Sequence, residues 1–128
     1  MTTRIFTPQS ARECAGALFP VARLMCRLLR EMDGARAGAG QPDGPVAHGY
    51  FTLVAGFLAA VSRIEASGAR VKNARTGLLD FPARRDGRQV FLCWWIGEPS
   101  IGFWHEPGAG LEDRRPVDED GPWEDPPS

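Results

Sequence analysis

Lysine is nearly absent from this chain of 128 residues, which contains fourteen arginines and a single lysine, Lys72. Arginine use of this kind, combined with abundant alanine and glycine, is typical of a GC-rich coding sequence and carries no functional signal by itself. The sequence also lacks a phosphate-binding loop and an H-E-x-x-H pattern. These absences leave no enzyme class indicated. We predict no cofactor, and the sequence does not identify catalytic residues.

Cysteine is scarce, and its three positions, Cys14, Cys26 and Cys93, are far apart and without C-x-x-C spacing. They are typical of reduced thiols in a cytosolic protein. The N-terminal segment MTTRIFTPQSARE has a charge where a signal peptide needs its apolar run. No uninterrupted run approaches the roughly 18 apolar residues of a membrane span. The sequence therefore predicts a soluble cytoplasmic protein without a membrane segment.

The charge is unevenly distributed although the composition is that of an ordinary globular domain, with 43% hydrophobic and 24% charged residues. Residues 1–111 carry a net charge of +4, whereas residues 112–128 carry −5 and are rich in proline. A segment of that kind buries too little apolar area to offset its chain entropy. We predict one domain over residues 1–111, followed by a disordered acidic tail over 112–128.

Most of the strand-forming residues lie between Ala69 and Glu106. The segment Gln89–Ile96, QVFLCWWI, reads as a strand between the Asp86-Gly87 turn and a second turn at 97–99. Alternation predicts Val90, Leu92 and Trp94 on one face and Phe91, Cys93 and Trp95 on the other, so that both faces are apolar. Flanking short strands predict an antiparallel meander of three or four strands.

Two helices are predicted before the meander. Thr7-Pro8 is a typical helix start, and a stripe at steps of three and four follows it: Ala11, Cys14, Leu18, Val21, Met25, Leu28 and Met32. Pro20 predicts a kink. A glycine-rich connection over 34–44 leads to a second helix from Pro45, whose wide apolar face predicts burial between the first helix and the sheet. The predicted fold is α+β, a helical hairpin packed on one face of the meander.

Asp80 is the candidate functional residue that stands out, because a charge is unexpected among Leu78, Leu79 and Phe81. Three interpretations remain open. Asp80 could form a metal or acid–base site with His105 and Glu106, although adjacent residues of a strand point to opposite faces. It could be a structural partner of Arg88, with His105 bonded to the backbone. A small polar ligand could be bound by the set Asp80, Arg88, Trp95, Trp104, His105 and Glu106.

The strings Gly77-Leu-Leu-Asp-Phe-Pro82, Asp86-Gly-Arg88 and Phe103-Trp-His-Glu106 are the most specific part of a family resemblance. With them, the regions 6–32 and 64–116 resemble the domain of unknown function 2203 family of small bacterial proteins. The resemblance implies a small soluble bacterial protein without an assigned activity. The glycine-rich helix connection and the long acidic tail depart from the family pattern.

The function favoured by the sequence is a homo-oligomeric interaction module or small-ligand-binding module, and the alternative is a small metal-dependent enzyme or metal site. The three sheet tryptophans, Trp94, Trp95 and Trp104, exceed what one helical hairpin covers, which predicts a homodimer formed through the meander. Nucleic acid is an unexpected partner, because the tail is acidic and the overall charge is near neutral.

Overall fold

The structure is a computed structural model that describes residues 4–38 and 44–126, and within them it contains two helices and one antiparallel sheet. The elements are α1 (Pro8–Gly38), α2 (Gly44–Ala66), β1 (Arg70–Asn73), β2 (Leu78–Arg85), β3 (Arg88–Trp95), β4 (Phe103–His105), a 3-10 turn (Leu111–Asp113) and β5 (Arg115–Pro116). The strands neighbour one another in chain order. The predicted α+β fold is confirmed, and the meander has five strands.

Helix α1 begins where the sequence predicts. The Thr7 hydroxyl accepts a hydrogen bond from the Ser10 amide at 3.1 Å, and the Ser10 hydroxyl accepts one from the Thr7 amide at 2.9 Å. This reciprocal cap, with Pro8 at the first helical position, satisfies amides that have no partner inside the helix. Six of the seven residues of the predicted stripe are buried, and Cys14 is half-buried. The helix continues through Pro20.

The connection between the helices is shorter than predicted. Helix α1 extends to Gly38 and α2 begins at Gly44, so that helix covers part of the predicted glycine-rich loop. The remaining residues of that loop, 39–43, lie outside the described part of the chain.

Helix α2 does not lie between α1 and the sheet, and that prediction is wrong. Only Ala60 and Ile64 are buried between Gly49 and Ala66, whereas Phe51 is 67% exposed and Leu58 is 58% exposed. Helix α1 takes the inner position instead: it contacts β3, and its Phe19 ring lies 6.2 Å from that of Trp94. By length and composition alone, Gly49–Ala66 is apolar enough to cross a membrane, the one such helix among the described residues.

The turn between β2 and β3 sets the register of the sheet. Asp86 and Gly87 both have positive φ, 53° and 77°, as the two-residue hairpin turn requires. Arg85 therefore pairs with Arg88, and the ladder continues to Leu78 opposite Trp95. Val90, Leu92 and Trp94 face the helices, as the alternation predicts, and they pack in the core with Leu79 and Phe81.

The acidic C-terminal segment, for which the sequence predicts a disordered tail, contacts the sheet at several positions between Arg115 and Glu124. β5 pairs with β4, and a bridge joins Arg85 to Trp123. The Trp123 ring meets the Trp104 ring edge-on at 5.9 Å, and Arg12 binds Glu119. Backbone hydrogen bonds, ring contacts and ion pairs with the basic body all contribute to these contacts, and the disordered tail stays a prediction. The boundary between domain and tail stays a prediction.

Candidate functional site

Three strands bring Asp80, Cys93 and His105 together on the sheet face that points away from the helices. Asp80 of β2 is directly opposite Cys93 of β3, and Cys93 is opposite Phe103 of β4. His105 lies two residues beyond Phe103 and therefore on the same face. Although this face has no helix over it, the three residues are only 4%, 1% and 5% exposed.

The imidazole of His105 is held by both ring nitrogens. Nδ1 lies 2.9 Å from the carbonyl oxygen of Glu106, and Nε2 lies 3.0 Å from Oδ1 of Asp80. A carbonyl oxygen only accepts hydrogen bonds, so Nδ1 carries the proton of that contact. In a neutral ring, Nε2 then presents a lone pair to a carboxylate oxygen that also has only lone pairs. A proton or a metal cation must lie between these two atoms for the contact to be attractive.

Cys93 completes the cluster, and its ligand atom lies within 4.8 Å of those of Asp80 and His105. Burial and, to a smaller extent, the negative charge of Asp80 raise the pKa of its thiol to about 11. The thiolate is the reactive form of cysteine, so a free Cys93 thiol is a poor nucleophile at neutral pH. The sequence predicts the same inertness from the apolar neighbours Leu92 and Trp94.

Long cationic side chains cover the cluster in place of a helix. The Arg114 guanidinium lies 4.1 Å from the centre of the Phe103 ring and binds both carboxylate oxygens of Glu98, at 2.8 and 2.9 Å. Phe91 stacks on the His105 ring at 5.5 Å, and Arg70 lies over Phe91. Arg114 Nε is a buried donor without a hydrogen-bond partner.

A cavity of about 350 Å³ opens on the same face. It is lined by Thr76, Leu78, Trp95, Leu111 and Arg114. Leu78 and Trp95 form the residue pair two positions along the strands from Asp80 and Cys93. That spacing places the mouth of the cavity about 7 Å along the sheet from the cluster.

The structure brings together two of the predicted site residues, Asp80 and His105, and separates them from the others. Glu106 contributes its backbone carbonyl to His105, whereas its carboxylate binds Arg88 at 3.3 Å. Trp104 faces the helix side of the sheet, paired with Leu92. Trp95 is on the same face as the cluster and 49% exposed, and its Nε1 donates to the Thr76 carbonyl oxygen at 2.7 Å.

The predicted pairing of Asp80 with Arg88 is wrong. The register places Arg88 opposite Arg85, five residues along β2 from Asp80, and the Arg88 side chain is 71% exposed. His105 is the partner of Asp80 instead. The sequence interpretation also missed Cys93 as a member of the cluster, and Glu98 and Arg114 as its cover. For Cys93 a signal was present, because pairing outward from the Asp86-Gly87 turn leads to Asp80 opposite Cys93.

No curated protein and no solved structure matches the chain. A family model does match: residues 4–117 fit the family described as "Uncharacterized conserved protein (DUF2203)". The match covers most of the chain, including every residue of the cluster and its cover. The chain therefore belongs to this uncharacterised family.

Proposed function

We propose that the protein binds a divalent transition-metal ion through Asp80, Cys93 and His105. The observation that carries the proposal is the 3.0 Å contact between His105 Nε2 and Asp80 Oδ1, made while Nδ1 donates to a backbone carbonyl. A histidine ligand of a metal presents one nitrogen to the ion and typically donates its other N–H to a carbonyl or carboxylate. His105 has this arrangement.

The donor set suits zinc or a similar ion. Thiolate, imidazole and carboxylate are the three ligand types that Zn²⁺ takes in proteins, at about 2.3, 2.0 and 2.0 Å. A tetrahedral ion with these bond lengths holds its ligands roughly 3.3 to 3.8 Å apart. The ligand atoms here lie within 4.8 Å of one another, so shifts of about 1 Å bring them into range. Three protein ligands leave the fourth position of the ion for water or another small ligand.

Charge balance also supports the proposal. Without metal, a proton shared by Asp80 and His105 and the thiol proton of Cys93 make the cluster neutral. A divalent ion that replaces these two protons leaves the cluster neutral as well. The exchange therefore places no net charge in a site that is almost fully buried.

The test is metal binding by purified protein that has been treated with a chelator and reloaded with Co²⁺ or Zn²⁺. We expect one equivalent per chain by elemental analysis, and for Co²⁺ an absorption band from thiolate coordination. Cys93→Ser and His105→Ala should lose the ion. Cys26→Ser is the matched control, because Cys26 is also a buried thiol but donates to the Ala74 carbonyl oxygen at 3.3 Å, away from the cluster.

One further variant separates the two metal sites considered above. Glu106→Gln should keep the ion, because only the backbone carbonyl of Glu106 contacts His105. Loss of metal from the Glu106→Gln variant would favour the set Asp80, His105 and Glu106 predicted from the sequence. If the wild-type chain takes up no ion at micromolar free metal, or if folded Cys93→Ser binds it equally well, the proposal is wrong.

The small-ligand function favoured by the sequence is a second candidate, supported by the cavity beside the cluster. Its walls include Leu78, Trp95 and Leu111, so we infer a ligand with a small apolar body rather than the wholly polar one predicted. Because the Trp95 ring is half-exposed at this cavity, ligand binding should change its fluorescence. Screening small carboxylates and aromatic amines against wild type and Trp95→Ala tests this candidate.

A further inference from the structure

Helix α2 exposes an apolar face that the fold leaves without a cover. Phe51 is 67% exposed and Leu58 is 58% exposed, more than the other large apolar side chains of the described residues. Between Gly49 and Ser62 the sequence contains no charged residue. Surface helices of monomeric proteins normally place charged residues on the face opposite the core. This face instead has the composition of an interface.

The exposed residues form a ridge beside a groove. At 100° per residue, Phe51 and Leu58 lie within about 20° of each other on the helix circumference, and they form the ridge. Ala55 and Ala59 lie on the adjacent strip, and both are exposed, so that their small side chains leave a shallow groove. Ridges of one helix pack into grooves of another. A surface with both elements side by side is complementary to itself.

We propose that α2 is the contact surface of a symmetric dimer, in which a second copy of the chain packs antiparallel across a two-fold axis near Ala55. In this arrangement each residue faces a residue of the other copy, and the two residue numbers add up to about 110. Phe51 of each copy then lies against Ala59 of the other, so that each ridge enters the facing groove. The prediction of a dimer is retained, but its surface moves from the sheet to the helix.

A second copy fits this face better than a lipid surface does. Helices that lie on membranes carry several Lys or Arg residues on their polar side. Gly49–Ala66 contains one, Arg63. The sheet is also a weaker candidate for the contact: its exposed Trp95 and Leu111 share their cavity with the charged Arg114.

The size of the contact predicts a weak dimer. Eighteen residues of helix span about 27 Å, and a strip one helix diameter wide covers on the order of 300 Å² on each copy. The resulting total is smaller than the roughly 1,200 to 2,000 Å² of a stable interface. We therefore expect weak, reversible association at roughly hundreds of micromolar, with neighbouring surfaces of α1 adding to the contact.

Sedimentation equilibrium of the full chain from low to several hundred micromolar tests the proposal. Leu58→Glu should weaken the dimer at least tenfold, because it places a charge in each half of the contact. Leu111→Glu is the matched control, since Leu111 is 56% exposed but lies on the sheet side. Both positions are exposed, so circular dichroism should show both variants folded.

A cross-link tests the symmetry. Ala55→Cys should form an intermolecular disulfide under mild oxidation, because the two copies of residue 55 meet near the axis. Ala66→Cys, exposed on the same helix but about 16 Å from the axis, should not. A wild-type chain that stays monomeric at all concentrations overturns the proposal, and vesicle binding by that monomer would assign the face to a membrane. The proposal is equally overturned if Leu111→Glu dissociates the dimer as strongly as Leu58→Glu.

Discussion

The outer face of the sheet and the outer face of α2 are opposites in chemistry and in burial. The sheet face holds a carboxylate, an imidazole and a thiol, each at most 5% exposed. The helix face holds Phe51 and Leu58, each more than half exposed. This contrast indicates that neighbouring elements, and not residue type alone, decide which residues of this chain are buried.

The physical reason lies in what each face has beside it. The Arg114 guanidinium lies over the Phe103 ring and that of Arg70 over the Phe91 ring. These side chains, with the mostly buried ion pair between Arg114 and Glu98, shield the sheet face. Helix α2 packs on α1 and β1 by its inner side and has no described element on its outer side. A polar cluster is therefore enclosed, whereas an apolar face stays exposed.

The largest effect is expected from breaking the polar cluster. Asp80→Ala leaves His105 buried without its partner, and removal of one member of a buried pair costs about 3 to 5 kcal/mol. Arg88→Ala removes the exposed pair with Glu106, which is worth less than about 1 kcal/mol. Urea unfolding of both variants, in a chelator so that metal binding does not contribute, measures the two losses of stability.

Equal and small losses in those two variants would contradict the enclosed cluster. They would mean that water reaches Asp80 and His105 in solution and that the sheet face is open. The same result would weaken the metal proposal, because a hydrated pair needs no cation to hold it together.

A somewhat smaller effect should separate the two sides of α2. Ile64→Ala removes a fully buried side chain and should cost about 2 to 5 kcal/mol. Leu58→Ala, six residues earlier on the outward side, should change the stability of the monomer by less than about 0.5 kcal/mol. Thermal or urea unfolding at low micromolar concentration, where the dimer is dissociated, gives both values.

The concentration dependence of the stability of Leu58→Ala distinguishes a contact between two copies from a contact within one chain. At high protein concentration Leu58→Ala should become destabilising relative to wild type, because it then removes a dimer contact. A large loss at low concentration would instead show that Leu58 packs inside the monomer.

Much of the fold follows from local sequence signals. The Thr7-Pro8 cap, the stripe on α1 and the alternation of β3 each depend on neighbours within a few residues, and the structure confirms them. The pairing of Asp80 with Cys93 was also predictable from the sequence. Once the Asp86-Gly87 turn fixes Arg85 opposite Arg88, each step along β2 is matched by one along β3, which leads directly to Asp80 and Cys93.

The side chains that cover the cluster and the position of α2 could not be predicted from the sequence, for different reasons. Arg114 binds Glu98 at a separation of 16 residues that includes β4 and the 3-10 turn, and no periodicity relates the two. For α2, an apolar face shows that something covers it but not whether the cover is the sheet or another molecule. Periodicity alone favoured burial between α1 and the sheet, because it identifies an apolar face but not the element against which that face packs.

The smallest effect is expected at a third surface, where the C-terminal segment covers the helix side of the sheet by ion pairs. Arg85 donates to both carboxylate oxygens of Asp118, at 2.8 and 2.9 Å, and its guanidinium lies 4.9 Å from the centre of the Trp104 ring and 4.8 Å from that of Trp123. The hydrogen bonds from Arg85 hold the pKa of Asp118 below its ordinary value of 3.8. The bond from Arg12 likewise lowers the pKa of Glu119.

The sign of the pH dependence follows from these lowered pKa values. A carboxyl group with a lower pKa in the docked state favours docking above its ordinary pKa and loses that contribution as the pH falls through the lowered value. The docked segment should therefore be unchanged from pH 7 to about pH 5 and loosen below about pH 4.

The indole N–H signal of Trp123, which donates to the Asp118 carbonyl oxygen at 2.8 Å, reports the loosening of the segment in NMR spectra. Arg85→Ala should loosen the segment already at pH 7, whereas Arg88→Ala, which removes only the exposed pair with Glu106, should not. A Trp123 signal that is mobile at neutral pH in the wild-type chain would instead support the disordered tail.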